Sequence, residues 1–168
     1  MAILLIGYRG SGKTTVGRLL SRIRNEPFAD ADDLIIQRAG KSIREIFQAG
    51  GEPAFRKIEA EVIADLAGSA SGVIGLGGGA ILSEGNRTAL SGHKIVYLHC
   101  EPAELLRRIT TDPATSDNRP NLTSLGGGIE EIQTLLEQRE PIYRAAMTHE
   151  IDVTNLTPQQ VADRLAKL

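Results

Sequence analysis

Cysteine is almost absent from this chain: Cys100 is the only one among 168 residues. An internal disulfide is therefore excluded, and the composition fits a reducing cytosol. Long hydrophobic runs are missing as well. The apolar stretches extend over only a few residues, far short of the roughly 20 needed to span a bilayer. No basic region followed by a long apolar segment precedes the first strand-like run, so no secretory signal is predicted and a cytoplasmic location is expected. Neither sign of charge dominates, since 19 Lys and Arg against 21 Asp and Glu leave a net charge of −2. With the basic residues scattered, neither nucleic acid nor an anionic membrane is expected as a partner. His93, His99 and His149 show no metal-ligand spacing, pair with no nucleophile motif and read as strand-edge residues. Cys100 follows the apolar run Ile95-Val96-Tyr97-Leu98 and reads as strand-end packing, not as a nucleophile. Repeats and dividing linkers are lacking, so residues 1–168 are expected to form a single domain, monomeric and large enough to bury a core without staples.

What is present begins at Gly7. Gly7-Tyr8-Arg9-Gly10-Ser11-Gly12-Lys13-Thr14 reads G-x-x-x-x-G-K-T and starts where the apolar run Ile3-Leu4-Leu5-Ile6 ends. Glycines in such a loop let backbone N–H groups turn inward around a polyphosphate. The lysine reaches the β/γ oxygens, and the threonine hydroxyl ligates magnesium. A helix-like stretch with Val16, Leu19, Leu20 and Ile23 follows, which sets a helix N-terminus under the phosphates. The motif in this context predicts a nucleoside-triphosphate site.

Short β-type runs alternate with helical patterns along the whole chain. Strands are predicted over 2–6, about 27–30, 72–76, 94–99 and about 149–153. Helices are predicted over 13–24, 31–39, 52–67, 101–109, 128–147 and 158–167. Nearly continuous apolar strands in such alternation predict an α/β fold with a parallel sheet covered on both faces. Two segments break the pattern. Residues 40–53 carry Ile43, Ile46 and Phe47 at helical spacing between glycines, as a satellite helix over the core or as the lining of a substrate pocket. Residues 110–126 are polar and end in a glycine run, the character of a lid.

In open α/β sheets, ligands sit beyond the carboxyl ends of the strands, and three motifs converge there. The phosphate loop follows the first strand, Asp30-Ala31-Asp32-Asp33 the second, and Gly77-Gly78-Gly79 the third. One of these three aspartates, Asp32 or Asp33 foremost, is expected to cap the next helix. Three carboxylates beside a triphosphate also call for a cation, and magnesium, which uses few protein carboxylates, resolves the repulsion. The glycine run fits close backbone approach to a ligand and a flexible turn equally well. Arg139 shares a helical stripe with Ile129, Ile132, Leu136 and Tyr143, so its guanidinium needs an anion, either a structural carboxylate or a substrate one. Arg56 has Glu52 and Glu59 at i−4 and i+3, a pattern for pairing on a solvated helix face. Arg119 falls in the lid-like stretch, where an arginine brought over a nucleotide stabilises phosphoryl-transfer charge.

The ordered set of motifs resembles the shikimate kinases over nearly the whole chain. Beside the phosphate loop through Gly17, Phe28-Ala29-Asp30-Ala31-Asp32 is similar to F-x-D-x-D, and Gly40 to Phe47 to G-x-S-I-x-E-I-F. Gly51-Glu52-Pro53-Ala54-Phe55-Arg56 with Glu59 is similar to G-E-x-x-F-R-x-x-E. Leu76 to Gly79, Arg119-Pro120 and Arg139-Glu140-Pro141-Ile142-Tyr143 complete the set. The resemblance implies a three-layer α/β/α sandwich of the nucleoside-monophosphate-kinase type with five parallel strands. It implies an ATP-dependent kinase that phosphorylates the 3-hydroxyl of shikimate. By position, Gly10, Ser11, Gly12, Lys13, Thr14 and Thr15 would bind ATP, with Thr14 on magnesium and Asp30 holding it through water. Asp32 would meet the attacking hydroxyl. Arg56, Arg139 and the Gly77, Gly78 and Gly79 backbone would grip shikimate, and Arg119 would meet the phosphates. Lys13, Asp32 and Arg119 are thus the expected catalytic residues, with about 31–61 as the substrate-binding excursion and about 110–126 as the lid. The turn Thr154-Asn155-Leu156-Thr157-Pro158 departs from the family pattern, since many members carry an arginine there near the adenine. Gluconate or nucleoside-monophosphate kinases of the same fold, and a GTPase-like switch, are the competing readings. The last lacks an N-K-x-D motif and a use for Arg56 and Arg139.

Overall fold

The computed structural model describes residues 1–69, 71–111, 126 and 128–168. Five parallel strands form one sheet: β1 (Ile3–Ile6), β2 (Phe28–Asp30), β3 (Val73–Gly75), β4 (Lys94–His99) and β5 (His149–Asp152). Their order is β2-β3-β1-β4-β5, with Leu4 paired to Ile74 on one side and Ile95 on the other. The central strands are apolar on both faces, as a parallel sheet between two helix layers requires. Leu5, Val73, Val96 and Leu98 pack on one side and Leu4, Ile6, Ile74 and Tyr97 on the other.

The helices are α1 (Lys13–Arg24), α2 (Ala31–Ala39), α3 (Ile43–Ser69), α4 (Glu84–Ala89), α5 (Pro102–Thr111), α6 (Ile129–Ala146) and α7 (Pro158–Leu165). Val16 and Leu20 of α1, Leu105 of α5, Leu136 of α6 and Val161 of α7 fill the first layer. Ile63 of α3 and Tyr143 of α6 close the second. All strands and five of these helices lie where the sequence patterns predict them, within a few residues, while α3 starts at Ile43, well before the predicted 52. The seventh, α4, is six residues long and follows a 3₁₀ turn over Ala80–Leu82. It is too short to display an apolar stripe, which is why periodicity misses it.

The excursion at 40–53 is helical from Ile43 onward, interrupted at one residue. Gly51, at φ 66° and ψ −167°, breaks α3 into two halves. Pro53 sits just beyond the break, where its missing N–H has no helical partner to lose. Ser42 and Glu45 start the first half as a reciprocal capping box, with Glu45 accepting from the Ser42 amide at 2.7 Å and Ser42 from the Glu45 amide at 3.2 Å. Ile43 and Ile46 bury against Ile35, Phe55 and Val62 in a third apolar cluster. The segment is a satellite helix, and Ser42 and Ile43 at its start line the main cavity.

Candidate active site

The phosphate loop turns with Gly7, Gly10 and Gly12 all at positive φ. Gly12, at φ 93°, is the residue from which α1 springs, a conformation that any side chain resists. No side chain caps α1 and no acidic residue occupies its first turn. The positive dipole end of α1 is therefore suited to an external anion. Lys13 Nζ folds over the loop and donates to the Gly7 and Tyr8 carbonyls at 2.8 and 2.9 Å. Thr14 Oγ1 donates to Asp30 Oδ2 at 2.7 Å, which ties the loop to the end of β2.

Asp30 also accepts the Asp32 amide through Oδ1 at 3.0 Å and so caps α2. One of the three aspartates was the expected cap, Asp32 or Asp33 foremost. Asp30 takes it because it is the last extended residue, at φ −109° and ψ 123°, the backbone conformation of an N-cap. Asp32 is left half-buried and Asp33 exposed at the cavity's edge. Burial, and then the negative charge of Asp30, pushes the Asp33 carboxyl above the usual range. A hydroxyl and a carboxylate oxygen in contact at the foot of the loop are hard donors that suit magnesium, which takes few protein groups. Among the described residues no group of three or more His, Cys, Asp or Glu is arranged as a metal cage.

The loop opens into a cavity of about 1010 Å³. One end is walled by α5, with Glu104, Arg107 and Arg108, and by the turn Thr154–Pro158. Arg108 is held there by Glu104 at 2.7 Å and by the Val153 carbonyl at 2.8 Å. The other end meets Asp32, Ile36, Ile43, Gly77, Gly78 and Arg139. Arg139 makes no ion pair among the described residues. Its guanidinium carbon lies 5.9 Å from the Tyr8 ring centre, and Nη1 lies 3.8 Å from where a Gly78 Cβ would be. Tyr143, one turn further along α6, donates to the Gly78 carbonyl at 2.5 Å. The structural carboxylate that the sequence left open as a partner for Arg139 is not found among these residues.

Arg56 pairs with Glu52 at 2.9 Å and Glu59 at 2.7 Å, as the spacing predicts. The face is solvated on one side only, since Glu52 is 63% exposed while Glu59 is 2% exposed. Burial opposes the Arg56 charge, yet Glu59 and Glu52 outweigh it and hold the guanidinium above its ordinary pKa. Arg56 stands behind the glycine run and does not line the cavity. A Cβ on Gly79 would lie 2.5 Å from Arg56 Nη2, and one on Gly78 would lie 3.2 Å from the Gly7 carbonyl. Close approach, not flexibility, is thus what these glycines serve, and at Gly79 the approaching group is an arginine of the protein itself. The run is pinned further on: Asn86 Nδ2 donates to the Ala80 carbonyl at 2.7 Å, and Arg87 donates to the Ile81 carbonyl at 2.8 Å.

Of the expected site residues, Gly10, Gly12, Lys13, Thr14, Thr15, Asp30, Asp32, Gly77, Gly78 and Arg139 line one cavity. Ser11 is buried under the loop, and Gly79 and Arg56 form the layer behind it. Arg119 and most of the 110–126 lid lie outside the described residues. Arg9, Arg18, Arg107 and Arg108 also line the cavity. Only the adjacency of Arg9 to the loop glycines and the pairing of α5 with the last-strand turn could have disclosed them.

A phosphate cradle that shares one cavity with a carboxylate and with an arginine that makes no ion pair among the described residues belongs to P-loop enzymes that pass a phosphoryl group to a small acceptor. The shikimate kinase family model matches residues 9–168. The shikimate kinase of Thermobifida fusca is 43% identical over 164 residues, covering 98% of this chain and 92% of that one. Among solved structures, shikimate kinase from Acinetobacter baumannii in complex with shikimate superposes with a TM-score of 0.90 at 32% identity, covering 99% of this chain and 90% of that one. Shikimate kinase from Aquifex aeolicus superposes at 0.81 with 36% identity, covering 98% and 94%. The chain belongs to the shikimate kinase family, and with it to the ATP-dependent kinases. Among the described residues no helix is long and apolar enough to cross a membrane.

Proposed function

We propose that the protein transfers the γ-phosphate of ATP to the 3-hydroxyl of shikimate, giving shikimate 3-phosphate and ADP. The observation that carries this reading is Arg139, which faces the same cavity as the phosphate loop and makes no ion pair among the described residues. A buried or half-buried guanidinium in that setting is a receptor for a carboxylate, and shikimate supplies one on a ring small enough for the compartment.

In this mechanism the first-turn amides of α1 and the loop backbone hold the β- and γ-phosphates. Lys13 exchanges its loop carbonyls for phosphate oxygens. Thr14 and Asp30 would hold magnesium, which neutralises developing charge on the phosphates. Asp32 accepts a hydrogen bond from the attacking hydroxyl and orients it in line with the γ-phosphate. Arg139 fixes the acceptor's carboxylate, while Arg56, locked by Glu52 and Glu59, supports the glycine backbone over which the ring lies. The segment about 31–61 is the acceptor-binding part of a single kinase domain.

Incubation with ATP, magnesium and a panel of acceptors tests the reading. Shikimate should be phosphorylated, and gluconate and nucleoside monophosphates should not. Lys13→Ala should abolish transfer with an unchanged circular dichroism spectrum. Arg139→Ala should weaken shikimate binding by on the order of 2–5 kcal/mol, or roughly thirtyfold to several thousandfold, with far less effect on nucleotide. An amide analogue of shikimate should bind the wild type poorly and lose little more in the variant. Equal losses for acid and amide would make Arg139 a structural residue.

A further inference from the structure

Tyr8 belongs to the phosphate loop by sequence, yet only its main chain takes part in the loop's work. Its carbonyl accepts from Lys13 Nζ at 2.9 Å and from the Ser11 amide at 3.2 Å. The side chain turns away into the core, where the residue is 1% exposed. There the ring meets Arg139, whose guanidinium carbon is 5.9 Å from the ring centre, within the range of a cation–π contact. The Tyr8 hydroxyl has no hydrogen-bond partner among the described residues, so the face of the ring is what it offers. Arg139 is also within reach of the Tyr143 hydroxyl, which is itself anchored on the Gly78 carbonyl. Burial pushes the Tyr8 hydroxyl pKa up while the Arg139 charge pulls it back, in keeping with their proximity.

We infer that Tyr8 is a positioning residue for acceptor recognition: its ring, carried by the nucleotide loop, supports the Arg139 guanidinium in the orientation that receives the acceptor's carboxylate. The inference rests on the reading of Arg139 as the carboxylate receptor. It makes acceptor affinity depend on a residue whose position is set by the ATP-binding loop, so the two substrate subsites are joined through one side chain.

The test compares Tyr8→Leu and Tyr8→Phe in steady-state kinetics, each in the wild-type and Arg139→Ala backgrounds. Cation–π contacts of this kind correspond to about a two- to thirtyfold change in affinity. Tyr8→Leu should raise the shikimate KM by that factor with the ATP KM nearly unchanged, and Tyr8→Phe should restore it. In the Arg139→Ala background the same leucine substitution should have little effect on shikimate. Incorporating singly, doubly and triply fluorinated phenylalanine at position 8 preserves shape while draining the ring's negative face. The shikimate KM should then rise stepwise with fluorination, a readout that holds even if Tyr8→Leu fails to fold. No trend with fluorination, equal shifts in both KM values, or an undiminished leucine effect without Arg139 would each overturn the inference. Failure of the carboxylate reading itself shows separately, as an Arg139→Ala variant whose shikimate KM does not move.

Discussion

Asp30 spends its two carboxylate oxygens on different partners, one on the α2 amide of Asp32 and one on Thr14. Asp32 has its backbone in that cap and lines the cavity. The two aspartates should therefore separate under magnesium titration. Asp30→Asn keeps an oxygen for the cap but loses the charge beside Thr14, and should raise the magnesium needed for half-maximal activity. Asp32→Asn should lower kcat at saturating magnesium; identical titrations would end this division of labour. Glu104 gives a pH signature of another kind. Hydrogen bonds from Arg107 and Arg108 hold its carboxyl down from 4.5 to about 2. Its contribution to stability is fully present above the unfolded value and is lost as pH falls toward 2. Glu104→Gln should flatten that part of the acid limb in urea midpoints measured from pH 5 down to 2. The shift should be small, because the group lies near the surface. At this scale the sequence disclosed that the phosphate loop, Asp30, Asp32, Gly77 and Gly78 face one cavity, since motif and strand end coincide, but not that Arg18, Arg107 and Arg108 join them. It did not disclose that Glu59 is buried or that Arg56 presses on Gly79, because both depend on where α3 lies against the glycine run.

Strands and long helices were legible because their apolar residues repeat at the period of the element that carries them. What escaped was aperiodic. Helix α4 is held by the Asn86 and Arg87 side chains on the carbonyls of the preceding turn, and the strand order β2-β3-β1-β4-β5 leaves no local mark. Gly51 is the sharpest case. It reads as one glycine of a pair, yet its backbone at φ 66° and ψ −167° is open to glycine alone and sets the angle between the halves of α3. Gly51→Ala should cost about 1–3 kcal/mol in urea unfolding and raise the shikimate KM by displacing Ser42 and Ile43. Gly68→Ala is the control. That glycine lies in the same helix with nothing within 4 Å of a new Cβ, and its substitution should be neutral or mildly stabilising. Equal destabilisation by the two would mean that Gly51 is an ordinary helix residue.

Across the molecule, the cavity divides between two structural layers. Its phosphate end is built on the sheet, where β1, β3 and β4 are buried on both faces. Its other end, the proposed acceptor end, is roofed by α2 and the first half of α3, which pack on their own small cluster of Ile35, Ile43, Ile46, Phe55 and Val62. Leu66 packs against both that cluster and the sheet's core. A satellite core of this size should open at lower free energy than the sheet, as segments that admit ligands do. In native-state hydrogen exchange, amides of α2 and of Ile43–Gly50 should therefore exchange through a sub-global opening, while those of β1, β3 and β4 wait for global unfolding. Phe55→Ala removes the largest side chain of the cluster and should cost about 3–5 kcal/mol if the surrounding structure cannot collapse. It should speed exchange of the roof far more than exchange of the sheet. Shikimate should slow the roof in the wild type, since a ligand bound only by the closed form adds its binding free energy to the opening. In Arg139→Ala the same shikimate concentration should slow it less. Roof and sheet amides that exchange at one common free energy, with and without ligand, would show a single cooperative unit instead and remove the basis for a separately moving acceptor roof.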